Sequence, residues 1–375
     1  MVRRGFDGKT CWVQARGGAL PAVGDQPPVV VVTAQPLLLT GSDVFYGLSE
    51  WRSADLGATW AGPVDHSAQL GRRPESTGVE VGICDMTPGW HAATGKLLTT
   101  GHTVRYHDDK HPIIASARQS TYSVYDASAR TWAPWAIVNL PDRPDFINTG
   151  AGCAQRYDLE DGTILLPFSF KPVSDNWHAV MSTTVMRCAF DGRELRYLEH
   201  GSELTVPEPR GLCEPSITRF QGRYYLTMRN DVRGYVASGT DGLHFSAPRP
   251  WTFDDGTELG SYNTQQHWVT HHERLFLVYT RRGLNNDHVF RHRAPVMMAQ
   301  VDPDRLVVLR ETECELTPNR GARTGNFSVT HVSANETWMF VAEWMQPIGC
   351  EKYGSDNTIW AVRIIWNKPN AEFRV

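Results

Sequence analysis

Ionisable side chains recur at matching places along this chain. Short apolar segments end at His102, Ser169, Arg229, Arg281 and Glu343, and the segments that precede them begin at Cys84, Cys153, Glu214, Gln266 or His267, and Asn326. If these copies share a register, the named residues converge. Two arginines brought to one low-dielectric place repel each other unless an anion lies between them. A carboxylate suits that role, because a guanidinium grips it through two parallel hydrogen bonds. The chemistry expected is recognition of an acidic molecule, with carboxylates and imidazoles at hand to move protons. The plainer alternative is that some of these arginines pair with nearby carboxylates and only staple neighbouring elements together.

Histidines supply a second set. His102, His107 and His111 crowd one segment, and His267, His271 and His272 another. Neither spacing matches a metal motif: H-E-x-x-H is absent, and so is C-x-x-C. No metal and no cofactor are expected. His102 with Arg156, Tyr157 and the arginines would instead suit a lyase acting on a uronic acid polymer, where arginine neutralises the carboxylate and His or Tyr removes the α-proton. A glycan-binding module without catalysis is a third class.

The elements that must position these residues are strands. Long 3.6-period stretches are absent, and short alternating runs separated by turn residues take their place. Glu214–Arg229, Gln266–Arg281 and Asn326–Glu343 are the clearest copies of one unit, a strand, a tight turn and a second apolar strand. Further copies run from Cys153 to Ser169 and from Cys84 to His102. They recur at intervals of roughly 50–70 residues, which fits a four-stranded propeller blade with long insertions. The segment Val29–Trp60 supplies one more. The expectation is an all-β, six-bladed β-propeller of four-stranded antiparallel blades, one domain over 1–375, with residues 1–28 closing the ring beside the last blade.

The sharpest local pattern is Ser53, Asp55, Gly57, Thr59 and Trp60, which reads S-x-D-x-G-x-T-W. Asp55 can accept backbone N–H bonds inside a tight turn, Gly57 suits a left-handed backbone, and Trp60 is large enough to wedge between strands. Asp55 is therefore assigned to its own turn rather than to catalysis. Partial copies stand at Ser238–Phe245 and Tyr125–Trp132.

This motif resembles the Asp-box of the sialidase superfamily of β-propellers. Glu214 to Arg229, followed by Asp241 and Gly242, is similar to that family's fourth blade. The resemblance implies an exo-α-sialidase-like glycoside hydrolase that removes a terminal acidic sugar, a sialic acid or related nonulosonic acid. It further implies that Glu214 polarises a nucleophilic tyrosine and that Arg229 is one of three arginines holding the substrate carboxylate. Arg281, Arg282 and Arg293 compete for a second of the three. The family's Arg-Ile-Pro motif is missing, and Arg16 is the nearest substitute. Tyr353, the only tyrosine after Tyr279, stands for the nucleophile. Asp43, Asp65 and Asp85 compete for the acid/base, with Asp85 preferred because it begins an inner strand. His102, Arg156, His267 and Glu343 complete the candidate substrate-binding set.

Composition narrows the partners. The net charge of −4 offers no basic field for nucleic acid. No run of 18 apolar residues exists, so no membrane span is expected. The first residues lack the apolar stretch of a signal peptide. Seven widely spaced cysteines argue against a disulfide framework and for buried free thiols in a reducing compartment such as the cytoplasm. Oligomeric state is left open.

Overall fold

The structure is a computed structural model that describes the chain except residues 40–42, 111, 114, 177, 372, 374 and 375. Six antiparallel sheets follow one another along the chain, each a meander whose neighbours in sequence are neighbours in space. They are the blades of a six-bladed β-propeller. The innermost strands are Cys11–Leu20, Val79–His91, Tyr157–Asp158, Cys213–Phe220, His267–His271 and Ser328–Ser333. Blades bury both faces against their neighbours, so central strands read as continuous apolar runs. Every residue of Ile164–Lys171 is buried, for example.

The amino-terminal segment divides its work. Arg3 bridges Ile359, the Val2 amide donating to the Ile359 carbonyl and the Ile359 amide to the Arg3 carbonyl, both at 2.9 Å, which adds an edge to the three-stranded last blade. Residues 11–20 form the innermost strand of the first blade and lie against the last blade. Arg16, Gly17 and Gly18 disguise this strand in the sequence. Its glycine has a steric reason: a Cβ on Gly17 would stand 2.4 Å from the Phe340 ring of the last blade.

The Ser53–Trp60 turn holds as its residue types suggest. Asp55 accepts from the Thr59 amide at 2.9 Å, the Thr59 hydroxyl at 2.5 Å and the Ser53 hydroxyl at 2.8 Å. The Thr59 hydroxyl leads these bonds in pulling the Asp55 carboxyl down to about 2. Gly57 sits at φ +82°. Trp60 meets Trp338 edge to face at 6.4 Å, joining the first blade to the last.

One backbone feature repeats around the ring. Gln14, Asp85, Cys153, Glu214, Asn263 and Asn326 all adopt left-handed backbone, with φ between 46° and 66°, one in each blade at or just before its innermost strand. At Gln14, Asp85 and Glu214 the strand register slips at the same point. A left-handed non-glycine residue costs about 1–2 kcal/mol. Each bulge re-aims a side chain toward the axis. Strain of this kind clusters where function needs a fixed side chain.

Candidate active site

Four of those six left-handed residues, Gln14, Asp85, Glu214 and Asn326, line a cavity of about 280 Å³ at one end of the ring. The other two support it. The Asn263 side chain accepts from Arg229 at 2.6 Å, and the Cys153 thiol donates to Asp85 at 2.9 Å. Six arginines line the same cavity: Arg118, Arg210, Arg229, Arg291, Arg293 and Arg323. Asp43, Cys84, His102 and Trp344 complete its polar and aromatic wall.

Arg229 ends the strand Arg223–Arg229 and is 4% exposed. It pairs with Glu214 and reaches Asp231 at 3.0 Å. Burial opposes its charge, but Glu214 and then its other acidic neighbours outweigh that and stabilise the guanidinium. One Glu214 oxygen, Oε2, is buried with no hydrogen-bond partner. Arg293 donates to Asn326 at 3.2 Å and to the Asn263 carbonyl, and no carboxylate pairs with it among the described residues. Burial, then Arg229, Arg323 and Arg291, push its pKa well below the usual guanidinium range.

The floor is a buried polar cluster. Arg16, fully buried beneath the cavity, donates to Asp85 at 3.0 Å, the Cys153 sulfur at 2.9 Å and the Thr87 hydroxyl at 3.0 Å. Asn326 donates to Asp85 at 2.9 Å. Burial pushes the Asp85 carboxyl up, yet Arg16, His102 and these hydrogen bonds win and hold it below its ordinary value. His102 lies 3.2 Å from the Cys84 sulfur and 4.0 Å from Asp85. Burial, aided by Arg118, lowers its pKa to about 4, so the imidazole is neutral at pH 7. Cys84, Asp85 and His102 present donor atoms within 4.8 Å of one another, a set that soft divalent cations accept. Arg16 and Arg118 face the same atoms, and their field opposes a cation.

Of the residues expected to form the site, Glu214, Arg229, Arg293, His102 and Asp85 meet at the cavity, with Arg16 directly below. Asp85, expected as the acid/base, is instead tied to the floor, its Oδ1 accepting from Arg16, the Cys153 thiol and Asn326. Asp43, the competitor from the first blade, lines the wall. Asp65 is tied into its own turn with Ser67.

Five expected residues stand elsewhere. Tyr353 is 46% exposed, at the end of the 3-10 turn Cys350–Tyr353, with its ring 4.6 Å from His288. That turn carries the phenol outside the cavity, and no tyrosine lines the cavity among the described residues. Arg281 lies beyond the end of its strand, Arg274–Tyr279, and is held by Glu313 at 2.6 and 2.7 Å. It staples its own blade, as the plainer alternative had it. Glu343 is 1% exposed and accepts from the Asp356 and Thr358 amides and the Trp360 indole, which makes it a brace of the last blade. His267 lies at the buried centre of the ring, bonded to the Cys153 carbonyl at 3.0 Å. Arg156 joins the second and third blades through Asp158 and the Gly89 and Leu98 carbonyls. It lines a different, wider depression of about 530 Å³, farther along the same inner strands. His111 lies outside the described residues.

Arg118, Arg210, Arg291 and Arg323 escaped the repeat count because it followed strands. Arg210 and Arg323 stand four and three residues ahead of Glu214 and Asn326. An arginine in the loop entering an inner strand is the local signal that was available.

No family model matches the chain, and no curated protein matches it. Among solved structures it is similar to a protein of unknown function from Dyadobacter fermentans, at 13% identity and TM-score 0.65, over 97% of both chains. It is similar to the Trypanosoma rangeli sialidase at 14% identity and TM-score 0.62, over 95% of this chain and 55% of that one. The NanB sialidase of Streptococcus pneumoniae matches at 9% identity and TM-score 0.65, over 97% of this chain and 70% of that one. At such identities the likeness speaks for architecture, and the architecture is a six-bladed β-propeller shared with sialidases.

Proposed function

We propose that this chain is a glycosidase that removes a terminal acidic sugar, a sialic acid or related nonulosonic acid, from a glycan. The observation that carries the reading is the buried Arg229–Glu214 pair beside Arg293 in the wall of a small cavity in a sialidase-like ring, both arginines bonded to Asn263. Arg229 and Arg293 grip the sugar carboxylate. A cavity of about 280 Å³ has room for one sugar, which suits attack at a chain end. Glycosidic cleavage needs one carboxyl to protonate the leaving oxygen and another on the far side of the ring. Asp43 takes the first role and Glu214 the second. With Tyr353 outside the cavity, Glu214 activates a water, and the anomeric configuration inverts.

The test is release of a fluorophore from an aryl α-sialoside. Glu214→Gln should lower kcat by about 10²–10⁴-fold, the range expected for a lost general base. Tyr353→Phe should leave it within twofold. Proton NMR of the first-formed sugar reads the stereochemistry. No release from any α-sialoside, together with no binding of free sialic acid, refutes the reading. Neutral His102 beside Arg118 favours one alternative, a lyase that abstracts an α-proton from a uronate. Ultraviolet absorbance from an unsaturated uronate identifies that outcome.

A further inference from the structure

Charge at the cavity exceeds what one carboxylate requires. Arg229 and Arg210 both lie within ion-pair reach of Asp231, and Arg229 also holds Glu214. Arg16 answers Asp85. Arg291, Arg293 and Arg323 make no ion pair with a carboxylate among the described residues, and Asp43 is the one wall carboxylate without an arginine partner. Six wall arginines, Arg118 among them, face three wall carboxylates, Asp43, Asp85 and Glu214, an excess of three positive charges. Unpaired buried cations are costly, and a protein that keeps them in a cavity is built for an anion.

These three arginines do not stand as one group. Arg293 turns toward Asn326 and Asn263, beside Arg229. Arg291 and Arg323 share a different support, the Phe290 ring, at 5.0 and 5.1 Å from its centroid. Arg323 also stacks on Trp344 at 4.4 Å and donates to Gln346 at 3.3 Å, while its Nε is buried with no partner. It is 6% exposed, and burial lowers its pKa to about 10. Arg291 and His292 both hold left-handed backbone, φ 59° and 52°. Two consecutive non-glycine residues in that region mark a loop held in place for its side chains.

We propose that Arg291 and Arg323, clamped by Phe290 and Trp344, form a second oxyanion subsite, so that the ligand carries two anionic groups. Building on the acidic-sugar reading, the first is the carboxylate at Arg229 and Arg293. The second is a sulfate, phosphate or further carboxylate on the same sugar.

Isothermal titration of the whole chain with acetate and with inorganic sulfate tests this without any sugar. The two anions should bind together, each affinity unchanged by saturation with the other. Arg323→Gln should weaken sulfate at least tenfold and leave acetate within twofold, and Arg293→Gln should do the reverse. Arg291→Gln, at a partly exposed side chain, provides the same comparison if the buried variant fails to fold. Mutual competition between acetate and sulfate, or equal losses of both in each variant, overturns the second subsite. Titration with N-acetylneuraminic acid separates the two readings. If it fails to bind while sulfate and acetate bind together, the acidic-sugar reading falls and the paired anion subsites stand.

Discussion

Replacing Arg16 with methionine exposes how the cavity floor is held. Methionine keeps an unbranched apolar stem but is shorter and carries no charge. In the native protein Arg16 and Asp85 are 0% and 8% exposed and joined at 3.0 Å. Removing one partner of such a pair leaves an uncompensated buried charge, at a cost of about 3–5 kcal/mol. The sign of the pH dependence follows from Asp85. Its folded pKa is depressed, so its contribution is present above the unfolded value and lost as pH falls through the folded one. Without Arg16, burial dominates and raises that pKa. The stability Asp85 then allows is present at low pH and lost as pH rises through the new folded value. The Arg16→Met penalty should therefore be larger at pH 8 than at pH 5. Urea unfolding at both values measures it. The double variant Arg16→Met/Asp85→Asn should recover part of the loss at pH 8, with a coupling of about 0.5–3 kcal/mol. A penalty equal at both pH values, with strictly additive single and double variants, refutes the argument.

Three further outcomes follow from the same geometry. His267 is buried and His102 and His331 are half-buried, and desolvation lowers the pKa values of His102, His267 and His331 to about 4, 3 and 4. Each folded value lies below the unfolded one of about 6.5, so the unfolded state takes up protons first. Stability should fall as pH drops from about 6.5 toward 4, at up to about 1.4 kcal/mol per unit for each histidine, and His331→Gln should flatten the profile in equilibrium unfolding. Gly152→Ala should destabilise by about 1–3 kcal/mol, because its Cβ would lie 1.9 Å from His102 Nδ1 and 2.8 Å from the Asp85 Cβ; unchanged thermal stability and anion binding would contradict this. Arg281→Met should lower stability by removing the Glu313 pair while leaving anion affinity within twofold, as titration would read.

The blades were legible in the sequence because their signals are local. An apolar run, a turn and a second run lie within one stretch of chain, as in Glu214–Arg229. The Ser53–Trp60 turn is likewise closed by hydrogen bonds among residues at most four apart. Glu214 and Arg229 were found for the same reason, since adjacent strands of one hairpin carry both. The inner strand Cys11–Leu20 was hidden because its glycines and arginine answer to Phe340, Asp85 and Cys153, residues far away in the chain.

The sequence by itself determined that strands repeat, that they close into a ring of blades, and that Glu214 and Arg229 share an end of one of them. Only the tertiary structure decided which other groups join that pair. Arg118, Arg210, Arg291 and Arg323 enter from loops of four different blades, and their meeting depends on ring closure rather than on spacing. Tyr353, Arg281 and Glu343 matched by position but differ by direction. A turn carries Tyr353 outward, Glu313 holds Arg281 within its own blade, and three N–H donors fix Glu343 inside the last one. Side-chain direction near a strand end is set by bulges and long-range partners, and a linear count of residues carries neither.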